Sequence, residues 1–333
     1  MTEAAALKAF WAFWKKENRA IAASFSTGMS QAHITAMNAK VRAIHKSLDW
    51  EFGPGHEAEH HLCVSGRGDP VLRAIAERWV ASAPRPSALW EFHAARQSHR
   101  AEDLRLTMDG HEIALAELGV VVTPDDAREV LHVGVYHPAF RKIADETLRR
   151  RIVFIGLETS LGEDDVERWI GDVDVLTKAP KKKVAPLASL PKAVAKLAKR
   201  ATGDSWAILS GERGGKPIVV LVNRAVKRID HLALDHHVTV AIRLADRSRG
   251  DGLTTKEEAD VLGAMRDDLE ARLGEAALPL ASETHGGRRT LHYRVGWTPA
   301  VAKKVEAWKK RARTYVIKIK AKRDPRWDEV IDW

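Results

Sequence analysis

From His56 to His60 the chain reads HEAEH, a formal match to the HExxH pattern of zinc proteases. That chemistry needs a helix: only positions i and i+4 on one helical face bring both imidazoles to one ion and set the Glu beside the metal-bound water. Here the match follows Gly53-Pro54-Gly55 and lies between two strand-like runs, Asp49–Phe52 and His61–Ser65. The context predicts a hairpin loop and leaves a metal-dependent hydrolase using His56 and His60 as an alternative reading. Just downstream, Gly66-Arg67-Gly68 lacks the third glycine of a dinucleotide turn, and Asp69 would repel an anion. A tight turn into a helix capped by Asp69 and opened by Pro70 is the better reading. The Arg67-Gly68-Asp69 adhesion motif has no use in a chain without an export signal, which is how the N-terminus reads.

Other candidates lack their context too. GERGGKP (Gly211–Pro217) has Ser210 where a P-loop needs its first glycine, and Pro217 where it needs Ser or Thr. Asp235-His236-His237, His285 and His292 can converge as ligands, or can be ordinary strand-end residues. The acidic run 163–167 suits either magnesium or the positive end of a helix dipole, and a solvated helix start is expected. No Ser or Cys stands in a nucleophile-elbow setting. Cys63, the only cysteine, sits between Leu62 and Val64 as a small core residue. No catalytic residue and no cofactor is assigned.

Patterns of period 3.6 and period 2 supply the framework. Leu7, Trp11, Trp14, Ile21 and Phe25 mark an amphipathic first helix whose Trp11 and Trp14 would anchor it on a sheet. A second helix covers about 30–46. Leu72, Ile75, Ala76 and Trp79 form the stripe of another. Asp109-Gly110 predicts a hairpin. Val130–Tyr136, Ile152–Leu157 and Val173–Leu176 read as strands, and Glu163–Ile170 as a short helix. Later come strands near 206–210, 218–223 and 238–244, a helix capped by Thr254 or Thr255, a hairpin at Gly286-Gly287, a helix near 299–312, and strand Tyr315–Lys320. Tight turns between most strands predict an α+β fold of two domains with mainly antiparallel sheets covered by helices. The domains would be 1–176 and 205–333, with 177–204 as a basic linker and short helix.

The chain of 333 residues has a net charge of +9, and no apolar run long enough to span a membrane. The charge is local. Residues 177–200 carry eight Lys/Arg and no acid, and 298–323 carry ten with one acid, Glu306, so the remainder is acidic. Lys303, Lys304, Lys309, Lys310, Arg311, Arg313, Lys318 and Lys320 are the candidate nucleic-acid or polyanion contacts. Lysines on an edge strand also block edge-to-edge aggregation. A lone cysteine and no secretory signal point to a cytoplasmic protein.

Several short motifs resemble known bacterial proteins. Phe10-Trp11-Ala12-Phe13-Trp14, Trp50-Glu51-Phe52-Gly53-Pro54, Trp90-Glu91-Phe92 and Leu161–Glu167 running into Trp169-Ile170-Gly171 resemble uncharacterised proteins with an FWxWF-type opening helix. Trp206, Lys216-Pro217, Asp251-Gly252-Leu253, Asp267-Asp268-Leu269, Gly286-Gly287-Arg288 and Asp324-Pro325 with Trp327 make the second half similar to domain-of-unknown-function family 695. That family is often joined to a module like the ribonuclease E inhibitor (regulator of ribonuclease activity B). The ending Asp328–Trp333 departs from the aromatic–proline ending of that pattern. The resemblance implies a ferredoxin-like sheet in the second half and carries over no catalytic residue. It favours a regulatory or inhibitory protein-binding module with an unknown protein partner, with RNA binding through the basic C-terminal face as the alternative.

Overall fold

The computed structural model describes residues 2–26, 28–100, 104–181 and 183–330. It is an α+β protein of two compact units: Met1–Pro124 with Val130–Lys199, and Asp125–Glu129 with Arg200–Trp333. No described helix is long and apolar enough to cross a membrane.

The first unit opens with α1 (Glu3–Ser24), capped by Thr2, and α2 (Gln31–Ile44), capped by Ser30. A three-stranded sheet follows: β1 (Asp49–Pro54), β2 (His60–Ser65) and β3 (Trp90–His93), with α3 (Pro70–Ala81) between the last two. The β1–β2 pair is an antiparallel hairpin. β2 and β3 run parallel, with α3 in the crossover that parallel strands require. Trp50, Phe52, Leu62, Val64, Trp90 and Phe92 all join the apolar cluster shared with α1. Within it Trp14 is buried and meets Trp90 edge-on at 4.8 Å, while Trp11 stacks on Trp79 at 4.9 Å. The tryptophans therefore anchor α1 on the sheet as their spacing predicts.

Beyond the β4–β5 hairpin (Arg105–Met108, His111–Ala114), a second sheet has the order β8-β7-β6-β9. Its strands are β6 (Gly119–Asp125), β7 (Val130–Tyr136), β8 (Ile170–Leu176) and β9 (Ala185–Pro186). β7 and β8 are parallel, joined through α4 (Glu146–Leu161) and α5 (Glu163–Trp169). One reading changes here. Ile152–Leu157 lies inside α4 and is not a strand: Asp145 caps the helix, and Leu148, Ile152, Leu157 and Leu161 form its buried stripe. Branched residues favour a strand by propensity, but burial of one helical face decides here. Within 177–204, expected as a basic linker and short helix, α6 (Leu190–Ala198) forms, and Leu187, Leu190, Val194 and Leu197 are buried in the core of this unit.

The second unit is built on one antiparallel sheet of order β10-β11-β13-β14-β12-β15. The elements are β10 (Trp206–Arg213), β11 (Lys216–Asn223), β12 (His236–Arg243), α7 (Lys256–Leu273), β13 (Ala277–His285), β14 (Arg288–Val295), α8 (Pro299–Arg311) and β15 (Ile317–Arg323). Val238, Val240, Ile242, Leu291, Tyr293 and Ile317 pack with Leu262, Leu269, Val305 and Trp308 of the two helices. Strand alternation therefore leaves His237, Thr239, Arg243, His292 and Lys318 on the opposite face.

Trp14 fills a closed aromatic site, and its truncation leaves a cavity. Trp14→Ala should destabilise the first unit by about 3–5 kcal/mol and Trp14→Phe by less, measured by chemical denaturation followed by circular dichroism.

Candidate metal centre

The other face of the β1-β2-β3 sheet follows from the same alternation. If Trp50, Phe52, Leu62 and Phe92 point to the helices, then Glu51, Gly53, His61, Cys63, Glu91 and His93 point away. The polar face holds a cluster of ionisable groups, and three of them converge. Ligand atoms of Glu51, His61 and His99 lie within 4.8 Å of one another, with His61 buried, Glu51 half-buried and His99 exposed.

His61 is the centre of the arrangement. Its ring is fully buried, and Nδ1 lies 2.9 Å from the Pro54 carbonyl. A carbonyl can only accept, so Nδ1 carries the proton and Nε2 keeps its lone pair. Nε2 is buried with no hydrogen-bond partner among the described residues. Burial lowers the His61 pKa, which favours the neutral, ligand-competent ring. Gly53 makes the room: a Cβ there would come within 2.5 Å of the His61 ring.

His99 reaches the site on an irregular segment after β3 that the α4–α5 junction grips. The His99 N–H donates to the Thr159 carbonyl at 2.6 Å, and the Glu163 N–H donates to the Arg96 carbonyl at 3.0 Å. Gly162, at φ +81°, sits where a Cβ would press on Arg96 and Ser98. Glu163 is buried, accepting from the Ser65 hydroxyl at 3.0 Å and the Arg96 N–H at 3.1 Å. Asp164 takes a two-pronged bond from Arg73 at 2.9 and 2.8 Å. The start of the acidic run is thus a clamp from α5 to β2, α3 and the segment after β3, and differs from the solvated helix start expected of it, because the sequence does not reveal that Ser65, Arg73 and Arg96 face it.

Arg96 holds Glu51 Oε2 at 3.1 Å and also bonds Asp49. Glu158 belongs to the same charged group: burial, then the neighbouring Glu163, raises its carboxyl pKa against the opposing pull of Arg96. Cys63 is buried beside Glu51 and Glu163, and burial pushes its thiol well up, so it stays protonated and is a poor ligand.

HEAEH is not helical. His60 opens β2 and packs against Phe25 and Trp90 on the aromatic side. His56 lies in the turn, near His93 on the polar side. The two rings therefore occupy opposite faces, and His61, one residue beyond the motif, is the histidine that joins a cluster. Glu51 and His99 were not singled out from the sequence. The strand alternation of WEFGP carries a signal for Glu51, whereas nothing in the spacing points to His99.

The histidines of the second unit meet only in part. His237 Nε2 and His292 Nδ1 are 3.1 Å apart, His236 pairs with Asp235, and His285 lies against the Pro217 carbonyl. Burial, then His237, lowers the His292 pKa to about 3, so this ring is neutral.

Comparison with known proteins bears on this second unit. Residues 204–333 match the family model described as "Family of unknown function (DUF695)". The match covers less than half of the chain and none of the three clustered residues. No curated protein and no solved structure matches the chain. The DUF695 segment contains all eight basic residues named from the sequence, yet it does not assemble them on one surface. Lys303, Lys304, Lys309, Lys310 and Arg311 ride on α8, with Arg313 just beyond it, whereas Lys318 and Lys320 lie on the sheet face turned away from the helices.

Glu91 supports the loop beside the cluster. Burial pushes its carboxyl up, but the N–H groups of His56, Glu57 and Ala58 at 2.8–2.9 Å and the His93 ring at 3.0 Å outweigh that and hold its pKa at about 2. A depressed carboxyl stabilises the fold fully above its ordinary value of 4.5 and loses that contribution as the pH falls towards 2. The protection factors of the His56, Glu57 and Ala58 amides, exchange relative to the intrinsic rate at each pH, should fall across that window, and Glu91→Gln should lower them already at neutral pH.

Proposed function

We propose that the first unit is a metal-dependent hydrolytic module that holds a divalent transition-metal ion on Glu51, His61 and His99. The observation that carries this reading is the Nε2 of His61, buried and without a hydrogen-bond partner among the described residues, on a ring that clusters with Glu51 and His99. An unsatisfied buried acceptor costs about 1–3 kcal/mol, and a cation would remove that cost. The Pro54 carbonyl on Nδ1 is the kind of outer contact that fixes the tautomer of a metal-ligating histidine. Two imidazoles and one carboxylate leave coordination positions open, as catalytic zinc and non-haem iron sites do. An ion bound there would supply a water of lowered pKa. Among the chain's own groups, Arg96 orients Glu51, and burial beside Glu163 raises the Glu158 carboxyl pKa, which favours its protonated form.

Elemental analysis of the purified full chain, after reconstitution with zinc, iron(II) or manganese(II), should find stoichiometric metal. His99→Ala, at an exposed position, and Glu51→Gln should lose it, while His56→Ala and His60→Ala keep it. Metal retained in His99→Ala, or none bound by the unsubstituted chain, defeats the proposal.

A second reading concerns the second unit, which we read as ferredoxin-like from its β-α-β-β-α-β succession over β12–β15. β10 is an edge strand with Trp206, Ile208 and Leu209 exposed, Ile208 at 74%. Open backbone groups flanked by apolar side chains favour a regulatory or inhibitory module that pairs with a partner strand. Ile208→Lys should leave circular dichroism unchanged and abolish any partner recovered by pulldown from the native host. Undiminished recovery would count against this surface.

A further inference from the structure

The glycine loops that carry the family resemblance meet at one end of the second sheet and floor a cavity of about 520 Å³. Gly252 (φ +80°) approaches the other loop so closely that a Cβ would stand 2.9 Å from the Gly287 nitrogen and 3.1 Å from the Gly286 Cα. The Gly287 N–H donates to the Gly252 carbonyl at 2.9 Å, and the Leu244 N–H to the Gly287 carbonyl at 3.0 Å. The floor is therefore stitched backbone to backbone, with no room for a side chain at Gly252.

Five cations line it: Lys216, Arg243, Arg247, Arg288 and Lys318. They come from β11, β12, the loop after β12, β14 and β15, so the topology and not a local run of charge gathers them. Arg243 and Arg288 are direct cross-strand partners, and Ala241 beside them pairs with Lys318. Like charges directly opposite each other destabilise a sheet. Among the described residues, none of the five has an ion-pair partner. Both lining acids have local bonds: Asp246 accepts from the Ser248 N–H at 2.9 Å, and Asp251 from the Leu253 N–H at 2.9 Å and from Arg249 at 2.7 Å. An excess of positive charge remains, directed into a concave space of ligand size.

We propose that this cleft binds a small phosphorylated ligand, its phosphate groups between Arg243, Arg288 and Lys318 and its organic part against Val316 and Leu253. Guanidinium groups make paired hydrogen bonds to phosphate oxygens, and several cations close together suit an anion of more than one charge. The cavity exceeds what one phosphate fills, and Val316, 60% exposed at its rim, offers apolar surface beyond the charged floor. This site is independent of the metal centre, since every lining residue belongs to the second unit.

The test is calorimetric titration of the full chain with inorganic phosphate, pyrophosphate and ADP at fixed ionic strength, with a single-stranded RNA oligonucleotide as a separate arm. Pyrophosphate and ADP should bind, each more tightly than phosphate. Arg243→Ala with Arg288→Ala should weaken both by roughly tenfold or more, the loss of charge-assisted bonds. All five cations are exposed, so these variants should fold. Lys303→Glu with Lys304→Glu, on α8, should change nothing. No pyrophosphate or ADP binding, equal weakening by the α8 pair, or binding of RNA alone would each overturn the proposal.

Discussion

The period-2 alternation of β1, β2 and β3 assigns every residue of the first sheet to one of two opposed environments. Trp50, Phe52, Leu62, Trp90 and Phe92 enter a packed aromatic layer with α1, and that layer fixes the register. Glu51, His61, Cys63, Ser65, Glu91 and His93 are committed to the other face by the same geometry. A one-residue slip would carry carboxylates and imidazoles into the aromatic core, so the apolar face in effect enforces the polar one. Burial on the polar side is then offset group by group. Glu91 receives three backbone N–H bonds, Glu163 receives Ser65 and Arg96, and His61 receives the Pro54 carbonyl on one nitrogen only. The exception on His61 is what gives that face a chemical direction.

Fold and site were legible to different depths. The helix caps at Asp69 and at Thr255, one of two adjacent candidates, the hairpins at Asp109-Gly110 and Gly286-Gly287, and the stripe of α3 are local signals, and each formed where its chemistry placed it. Ile152–Leu157 failed because a short branched run satisfies both periods, and only the buried neighbours Leu148 and Leu161 settle the choice. The parallel β7–β8 pair is hidden for a related reason: strand direction depends on which connecting segments are helices, and Ile152–Leu157 within α4 reads as a strand.

The cluster itself shows why motif spacing misled. HExxH is a helical ruler, and applied to a hairpin it selects His56 and His60, which fall on opposite faces. On a strand the informative interval is two, which groups Glu51 with Gly53 and His61 with Cys63. Cross-strand register then sets Gly53 against His61. The third member, His99, has no regular relation to either strand. It arrives because Gly162 and Thr159 hold residues 96–99 against the sheet, and contacts of that separation leave no trace in one sequence.

The two candidate sites are recognised by opposite departures from ordinary protein chemistry. In the first unit a buried acceptor on His61 lacks a donor among the described residues, which is what the proposed cation would complete. In the second unit exposed cations face one another while the two lining acids, Asp246 and Asp251, are engaged locally, which is the excess that the proposed anion would complete across three strands. Neither departure is needed to build the fold. The aromatic layer would hold the first sheet with an apolar residue at 61, and the packing of α7 and α8 would hold the second without Arg243 opposite Arg288. Costs that folding does not require are the ones that binding can recover, which is why these two places, rather than the named motifs, are where the chain's chemistry should be sought.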